Sequence, residues 1–145
     1  MLVLDTNILL DVWVFDDPRT QALHAALTAR SVDWITTPEM REEWLRVLHY
    51  PHLAQRWARK ALSLDPLMAA FDAASRTVPA APRAPWVCKD PDDQKFVDLA
   101  VAHGAQLVSI TPVGEDTYET TLSLDRAVVQ DLRSLYLSQI ATRVR

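Results

Sequence analysis

The chain has 145 residues, 49% of them hydrophobic and 23% charged, which is enough for one domain with a real core and leaves little room for two. That balance is close to the globular average and excludes an intrinsically disordered chain, and no apolar run approaches the eighteen or so residues of a membrane-spanning helix. A net charge of −4 gives no general sign of nucleic-acid binding, although acids gathered round a divalent cation lower the total while a basic rim still meets phosphates.

In chain order, Met1 to Asp5 is a short apolar run ending in an acid, the pattern of a central parallel strand buried on both faces. Asp5-Thr6-Asn7 then stands at the strand's C-terminal end, where open α/β sheets place their ligands. Ile8 to Phe15 continues apolar as a short helix, and the spacing of Ala22, Leu23, Ala26 and Leu27 predicts an amphipathic helix from Pro18 to about Arg30. Val32 to Thr36 reads as the second strand. Pro38 opens a helix whose stripe is Met40, Trp44, Leu45 and Leu48, with Glu42 and Glu43 early in it. Further helices are predicted from His52 to about Leu64 and from Asp65-Pro66 to Arg76. Thr77 to Trp86 carries Pro79, Pro82 and Pro85 and reads as a rigid crossing rather than regular structure.

The next stretch is a helix opened by carboxylates. Asp90 suits its N-cap, Pro91 its first position and Gly104 the residue past its end, with Phe96, Leu99, Ala100, His103 and Gly104 setting the apolar side. Acids in a first turn also serve simply to offset the helix dipole, so Asp90, Asp92 and Asp93 have a plain capping role as well as a chemical one. Gln106 to Ile110 is another strand, Thr111 to Asp116 holds a turn, and Tyr118, Thr120, Leu122 and Leu124 alternate at period two. A helix from Leu124 to about Leu135 and a final strand from Leu137 to Val144 close the prediction. Alternating strands and helices predict a three-layer α/β/α domain over residues 1–145 with a central, mainly parallel sheet and an unusual insertion near residues 111–124.

In such a fold Asp5, Glu43 and Asp93, from three separate segments, can converge at one sheet edge. A few carboxylates suffice for Mg²⁺ or Mn²⁺, which prefer oxygen ligands and keep several waters. Taken in order, Leu2-Val3-Leu4-Asp5-Thr6-Asn7, Glu43 before Trp44-Leu45, and Asp90-Pro91-Asp92-Asp93 followed by Phe96, Ala100 and His103-Gly104 resemble the PIN (PilT N-terminus) domain over about residues 1 to 110. The Asp-Pro-Asp-Asp form is similar to a bacterial branch of that family regarded as toxins of toxin–antitoxin pairs.

The resemblance implies a Mg²⁺- or Mn²⁺-dependent endoribonuclease in which metal-activated water cuts RNA. By position it assigns the metal to Asp5, Glu43 and Asp93, with support from Asn7, Thr6 and Asp90, and it prefers Glu43 to Glu42 because Trp44-Leu45 and Val47-Leu48 fit that register. The family follows its next strand with Thr/Ser-x-Asp, whereas Ser109-Ile110-Thr111 has threonine at the acid's place. The phrase returns as Ser123-Leu124-Asp125, making Asp125 the candidate fourth carboxylate behind an insertion. A tight hairpin at Gly114-Glu115-Asp116 returns Asp125 to the wrong end of the strand, and a looser excursion returns it to the site.

Arg41, Lys89, Lys95 and Trp86 are the candidates for meeting RNA, the cations through phosphates and Trp86 by stacking, each with surface charge or packing as its ordinary alternative. The other tryptophans read as core and loop packing. The four histidines and the single Cys88 show no ligand spacing for zinc. A solitary cysteine and the absence of a secretory leader agree with a cytoplasmic protein. Partners implied by the resemblance are RNA, a small antitoxin and a second copy in a homodimer, with no membrane. Two other classes stay open: a PIN-like RNA- or protein-binding domain with weak or no cleavage, and a phospho-aspartate enzyme using Asp5 as nucleophile, against which stands the lack of a second acid two residues on.

Overall fold

The computed structural model describes residues 1–87, 91–108 and 142–143. Four short strands, β1 (Leu2–Leu4), β2 (Trp34–Thr36), β3 (Ser75–Thr77) and β5 (Gln106–Val108), form an all-parallel sheet in the order β3-β2-β1-β5. A second, two-stranded ladder pairs β4 (Trp86–Val87) antiparallel with β6 (Thr142–Arg143). Six α-helices accompany the strands among the described residues: α1 (Thr6–Trp13), α2 (Gln21–Thr28), α3 (Pro38–Leu48), α4 (Pro51–Arg59), α5 (Leu64–Ala74) and α6 (Gln94–His103). None of them is long and apolar enough to cross a membrane.

The strand period of two sorts the sheet residues into two cores. Leu2, Leu4, Trp34 and Val108 face the larger one, with Ile8, Leu9 and Val12 of α1, Leu23 and Leu27 of α2, Trp44 and Leu48 of α3 and Phe71 of α5. Val3, Ile35 and Leu107 face the other, covered by Phe96, Val97, Leu99 and Ala100 of α6. The register agrees, because Leu4 pairs with Val108 and Val3 with Leu107, so each face stays apolar across strands. Three layers result, α/β/α, as the alternation of elements predicts. The larger core is aromatic: Trp34 meets Phe71 edge-on at 4.7 Å between ring centroids, and Trp13 lies 6.0 Å from both Trp34 and Trp44.

Several predicted boundaries move. The helix predicted to run to Arg76 ends at Ala74, and Ser75–Thr77 instead form β3, in register with Trp34–Thr36. Their side chains are half-buried or exposed, so this edge strand is held by backbone pairing rather than by an apolar face. The helix predicted from His52 to Leu64 stops at Arg59, and Ala61 follows with a left-handed φ of 55°. The acidic helix begins later than predicted: Pro91–Asp93 form a 3-10 turn and Asp93, not Asp90, holds the N-cap position of α6. A proline in that first turn supplies no N–H, and the tighter turn brings Asp93 to the helix start. Gly104 ends α6 as predicted, with φ 59°, whereas His103 is exposed and Val97 takes its place on the buried side. The strand end Ser109-Ile110, the insertion near 111–124 and the helix after Leu124 lie outside the described residues.

Candidate active site

The C-terminal edge of the sheet is where the acids collect. Asp5 follows β1 directly, and its backbone N–H donates to the Val108 carbonyl at 2.9 Å, so its position is set by the β1–β5 pair. The residue is 4% exposed, and its carboxylate accepts the Asn7 backbone N–H at 3.3 Å and caps α1, where the helix N-terminus offsets a negative charge. This is also where the sheet order turns, since β2 lies on one side of β1 and β5 on the other, which opens a crevice at the strand ends.

Glu43 arrives from α3. Thr37 caps that helix by accepting the Met40 N–H at 3.3 Å, and Pro38 occupies its first turn. Burial of Met40, Trp44 and Leu48, spaced four residues apart, then fixes the helix rotation. That rotation leaves Glu42 exposed and turns Glu43 to the sheet edge, where Thr6 Oγ1 donates to Oε2 at 2.5 Å. Lys95, from α6, donates its Nζ to Oε1 at 2.8 Å and to the Asp92 carbonyl at 2.6 Å. Both partners of the ion pair are largely buried, with side-chain exposures of 18% and 14%. Arg46 stands farther out, its Nη2 at 3.9 Å from Oε1. One chain of polar contacts, Thr6 to Glu43 to Lys95, thus ties the end of β1, the middle of α3 and the start of α6 together.

Asp93 lies two residues before Lys95 at the start of α6, half-buried, and makes no capping hydrogen bond to its helix. Asp92 is exposed. Below them the buried Gln94 donates to Asp98 Oδ1 at 2.7 Å, and the same oxygen accepts the Ala84 N–H at 2.9 Å, which pins the proline-rich crossing to α6. Of the supporting residues, Thr6 rather than Asn7 provides the side-chain hydrogen bond to a candidate acid; Asn7 contributes its backbone N–H and is exposed. Lys95, a candidate for phosphate, has its ammonium on Glu43. Arg41 forms a two-pronged pair with Asp72 of α5, at 2.7 and 2.8 Å, and that hydrogen bond raises the Arg41 pKa and lowers that of Asp72. Lys89, Asp90 and Asp125 lie outside the described residues, and Trp86 is described only by its backbone in β4.

The donors at this edge fit a hard divalent cation in kind: they are carboxylate, hydroxyl and carbonyl oxygens, without thiolate or imidazole. The Lys95 ammonium on Glu43 marks a position that accepts positive charge. Among the described residues no three histidines, cysteines or acids form a ready ligand cluster. Sequence reasoning nominated Asp5 and Asp93 through their places at element ends and Glu43 through the register of Trp44-Leu45; it missed Lys95 as the partner of Glu43, which no local pattern announces.

No curated protein and no solved structure matches the chain. The profile of the PIN domain family matches residues 1–109, a stretch that holds the whole parallel sheet, all six helices and each acid described here. PIN domains are generally nucleases, hydrolases that bind nucleic acid and typically use divalent metals. With that match over three quarters of its length, and with a parallel α/β/α sheet that carries Asp5 at the end of its central strand, the chain belongs to the PIN domain family.

Proposed function

We propose that this protein is a Mg²⁺- or Mn²⁺-dependent endoribonuclease whose metal-binding acids are Asp5, Glu43 and Asp93, joined by Asp125. The observation that carries the reading is the Thr6–Glu43–Lys95 chain, which gathers the three segments bearing these acids at the strand ends. When bound, the metal would supply charge to a phosphodiester oxygen and lower the pKa of an attacking water. Asp5, rigidly placed by its bond to Val108 and its cap on α1, holds one side of the site. Glu43 is oriented by Thr6, and Asp93 closes the site from the start of α6. Asn7 supports the same edge through its backbone N–H to Asp5, and Asp90 is proposed as a further supporting acid. As a toxin of a toxin–antitoxin pair, the protein would act in the cytoplasm as a homodimer, blocked by a small antitoxin whose Arg or Lys pairs with the carboxylates.

The test is cleavage of a labelled mixed-sequence RNA with Mg²⁺, Mn²⁺ or chelator, beside Asp5→Asn, Asp93→Asn and Asp125→Asn. Metal-dependent cleavage that falls about a hundredfold or more in the first two variants is expected, and Asp125→Asn reports whether the fourth acid reaches the site. A wild type as inert as its variants overturns the reading. A second reading, a PIN domain that binds RNA or protein with weak or no cleavage, is favoured by Thr111 standing at the family's acid position and by Lys95 occupying Glu43. In that case binding survives Asp5→Asn and no cleavage is seen.

A further inference from the structure

The cations that the sequence nominates for RNA are in part committed elsewhere, Arg41 to Asp72 and Lys95 to Glu43. Others lie on α4. From Trp44 to Leu64 the chain contains no acidic residue, although acids outnumber bases over its whole length. Helix α4 buries Leu53 and half-buries Trp57, whose indole N–H donates to the Leu48 carbonyl at 2.9 Å, so its orientation on α3 is fixed. Flanking that buried side, His52, Arg56 and Arg59 of α4 and Lys60 at its C-cap are all exposed, His52, Arg56 and Lys60 at four-residue steps along about 12 Å and Arg59 three residues from Arg56. Arg56 rests its guanidinium over the Phe15 ring, 4.6 Å from the centroid, and none of Arg56, Arg59 and Lys60 forms an ion pair among the described residues. At the corner where α3 meets α4, Tyr50 is 44% exposed and its ring lies 6.3 Å from that of His52, inclined at 31°.

We infer that the exposed face of α4, with the Tyr50–His52 corner, is a docking surface for the backbone of single-stranded RNA. The inference rests on the nuclease reading for the kind of polymer bound; the surface itself supplies the chemistry. Unpaired guanidinium and ammonium groups spaced along one helix face match a run of phosphates, because each contact releases condensed counterions. An exposed aromatic pair beside that run is a stacking platform that unpaired bases can use and a duplex, already stacked on itself, cannot. Arg46, exposed and 3.9 Å from Glu43, lies on α3 between the acids and this corner and extends the positive surface toward them. The acidic total charge of the chain therefore conceals a segregated basic face.

The experiment is fluorescence anisotropy of the full chain with a labelled single-stranded RNA, in chelator, over a range of salt. Arg56→Gln, Arg59→Gln and Lys60→Gln combined are expected to weaken binding about 10- to 100-fold at low salt and to reduce the log–log salt slope by about 2, near 0.7 per lost phosphate contact. Arg56→Lys with Arg59→Lys keeps the wild-type slope, and so does the pair Arg30→Gln and Arg83→Gln off the stripe. Tyr50→Ala weakens single-strand binding about fivefold or more and leaves duplex binding unchanged. Glutamine variants that fold and bind like the wild type overturn the inference, whether or not the protein cleaves. Polyglutamate that binds the wild type more tightly than the RNA does at equal charge concentration also overturns it, in favour of an acidic protein partner. A wild type that binds along the stripe and never cleaves overturns the nuclease reading alone.

Discussion

Both oxygens of Glu43 are engaged, Oε2 by the Thr6 hydroxyl and Oε1 by the Lys95 ammonium, in a setting only 14% exposed. Removing one member of such a pair leaves the other charge partly desolvated, so Lys95→Met is expected to cost about 1–2 kcal/mol in urea unfolding without metal. Adding Glu43→Gln then costs less than the sum of the single changes, a coupling that a double-mutant cycle reads directly. Asp5 calls for a different comparison because it is both an acid and an N-cap. Asparagine caps as well as aspartate, so Asp5→Asn isolates the charge, while Asp5→Ala also loses the cap and about 1 kcal/mol more. The Arg41–Asp72 pair gives a pH dependence. Hydrogen bonding by Arg41 lowers the folded pKa of Asp72, so its contribution is complete above the ordinary carboxylate range and fades as pH falls through the lowered value. Both side chains are about half exposed, which limits the contribution to a few tenths of a kcal/mol. Thermal unfolding should show a decline below about pH 4 that is smaller in Arg41→Gln.

At the level of elements, the helix ends carry the clearest consequences. Gly104 closes α6 with φ 59°, and a Cβ there would meet nothing within 4 Å, so Gly104→Ala costs about 1 kcal/mol through backbone strain alone. Gly104→Asn, whose side chain tolerates that conformation, is expected to cost less in the same thermal or urea experiment. The glycine was legible because a φ of that sign has few occupants. Strands β1, β2 and β5 were legible for another reason: buried on both faces, they appear as apolar runs in the sequence. Ser75-Arg76-Thr77 has no such run. It is a strand because its backbone completes β2, a property of the neighbour and not of its own side chains. The opening of α6 was half legible, since Asp-Pro-Asp-Asp announces a helix start, but the same composition serves a 3-10 turn or a first α turn equally well. In the candidate site, Asp5 and Asp93 were readable from their places beside element ends and Glu43 from the register of Trp44-Leu45, and the Lys95–Glu43 bond was not, because it joins residues 52 apart and depends on how α3 and α6 are rotated.

For the molecule as a whole, the sheet separates two cores, and the larger is held by Trp34, Trp44 and Phe71 in mutual contact or through Trp13. Phe71 is 1% exposed and meets Trp34 edge-on, so Phe71→Ala is expected to cost about 3–5 kcal/mol, enough to unfold a marginal domain, as urea titration would record. Binding of Mn²⁺ by the folded chain alone would raise the unfolding midpoint with metal concentration, and Asp5→Asn would abolish that rise. The central strand β1 draws its neighbours from distant parts of the chain: Leu2 pairs with Trp34 on one side and with Gln106 on the other. Such wiring has a temporal side. During synthesis β1 waits with one edge open and, until α6 emerges, with one face bare, since pairing over that separation is slow and comes late. Asp5 gains its anchor only when Val108 has left the ribosome, and Glu43 meets Lys95 only slightly earlier. A nascent chain stalled before Gln106 is therefore expected to be protease-sensitive, so Asp5 and Glu43 take their places at one edge only once the sheet has closed.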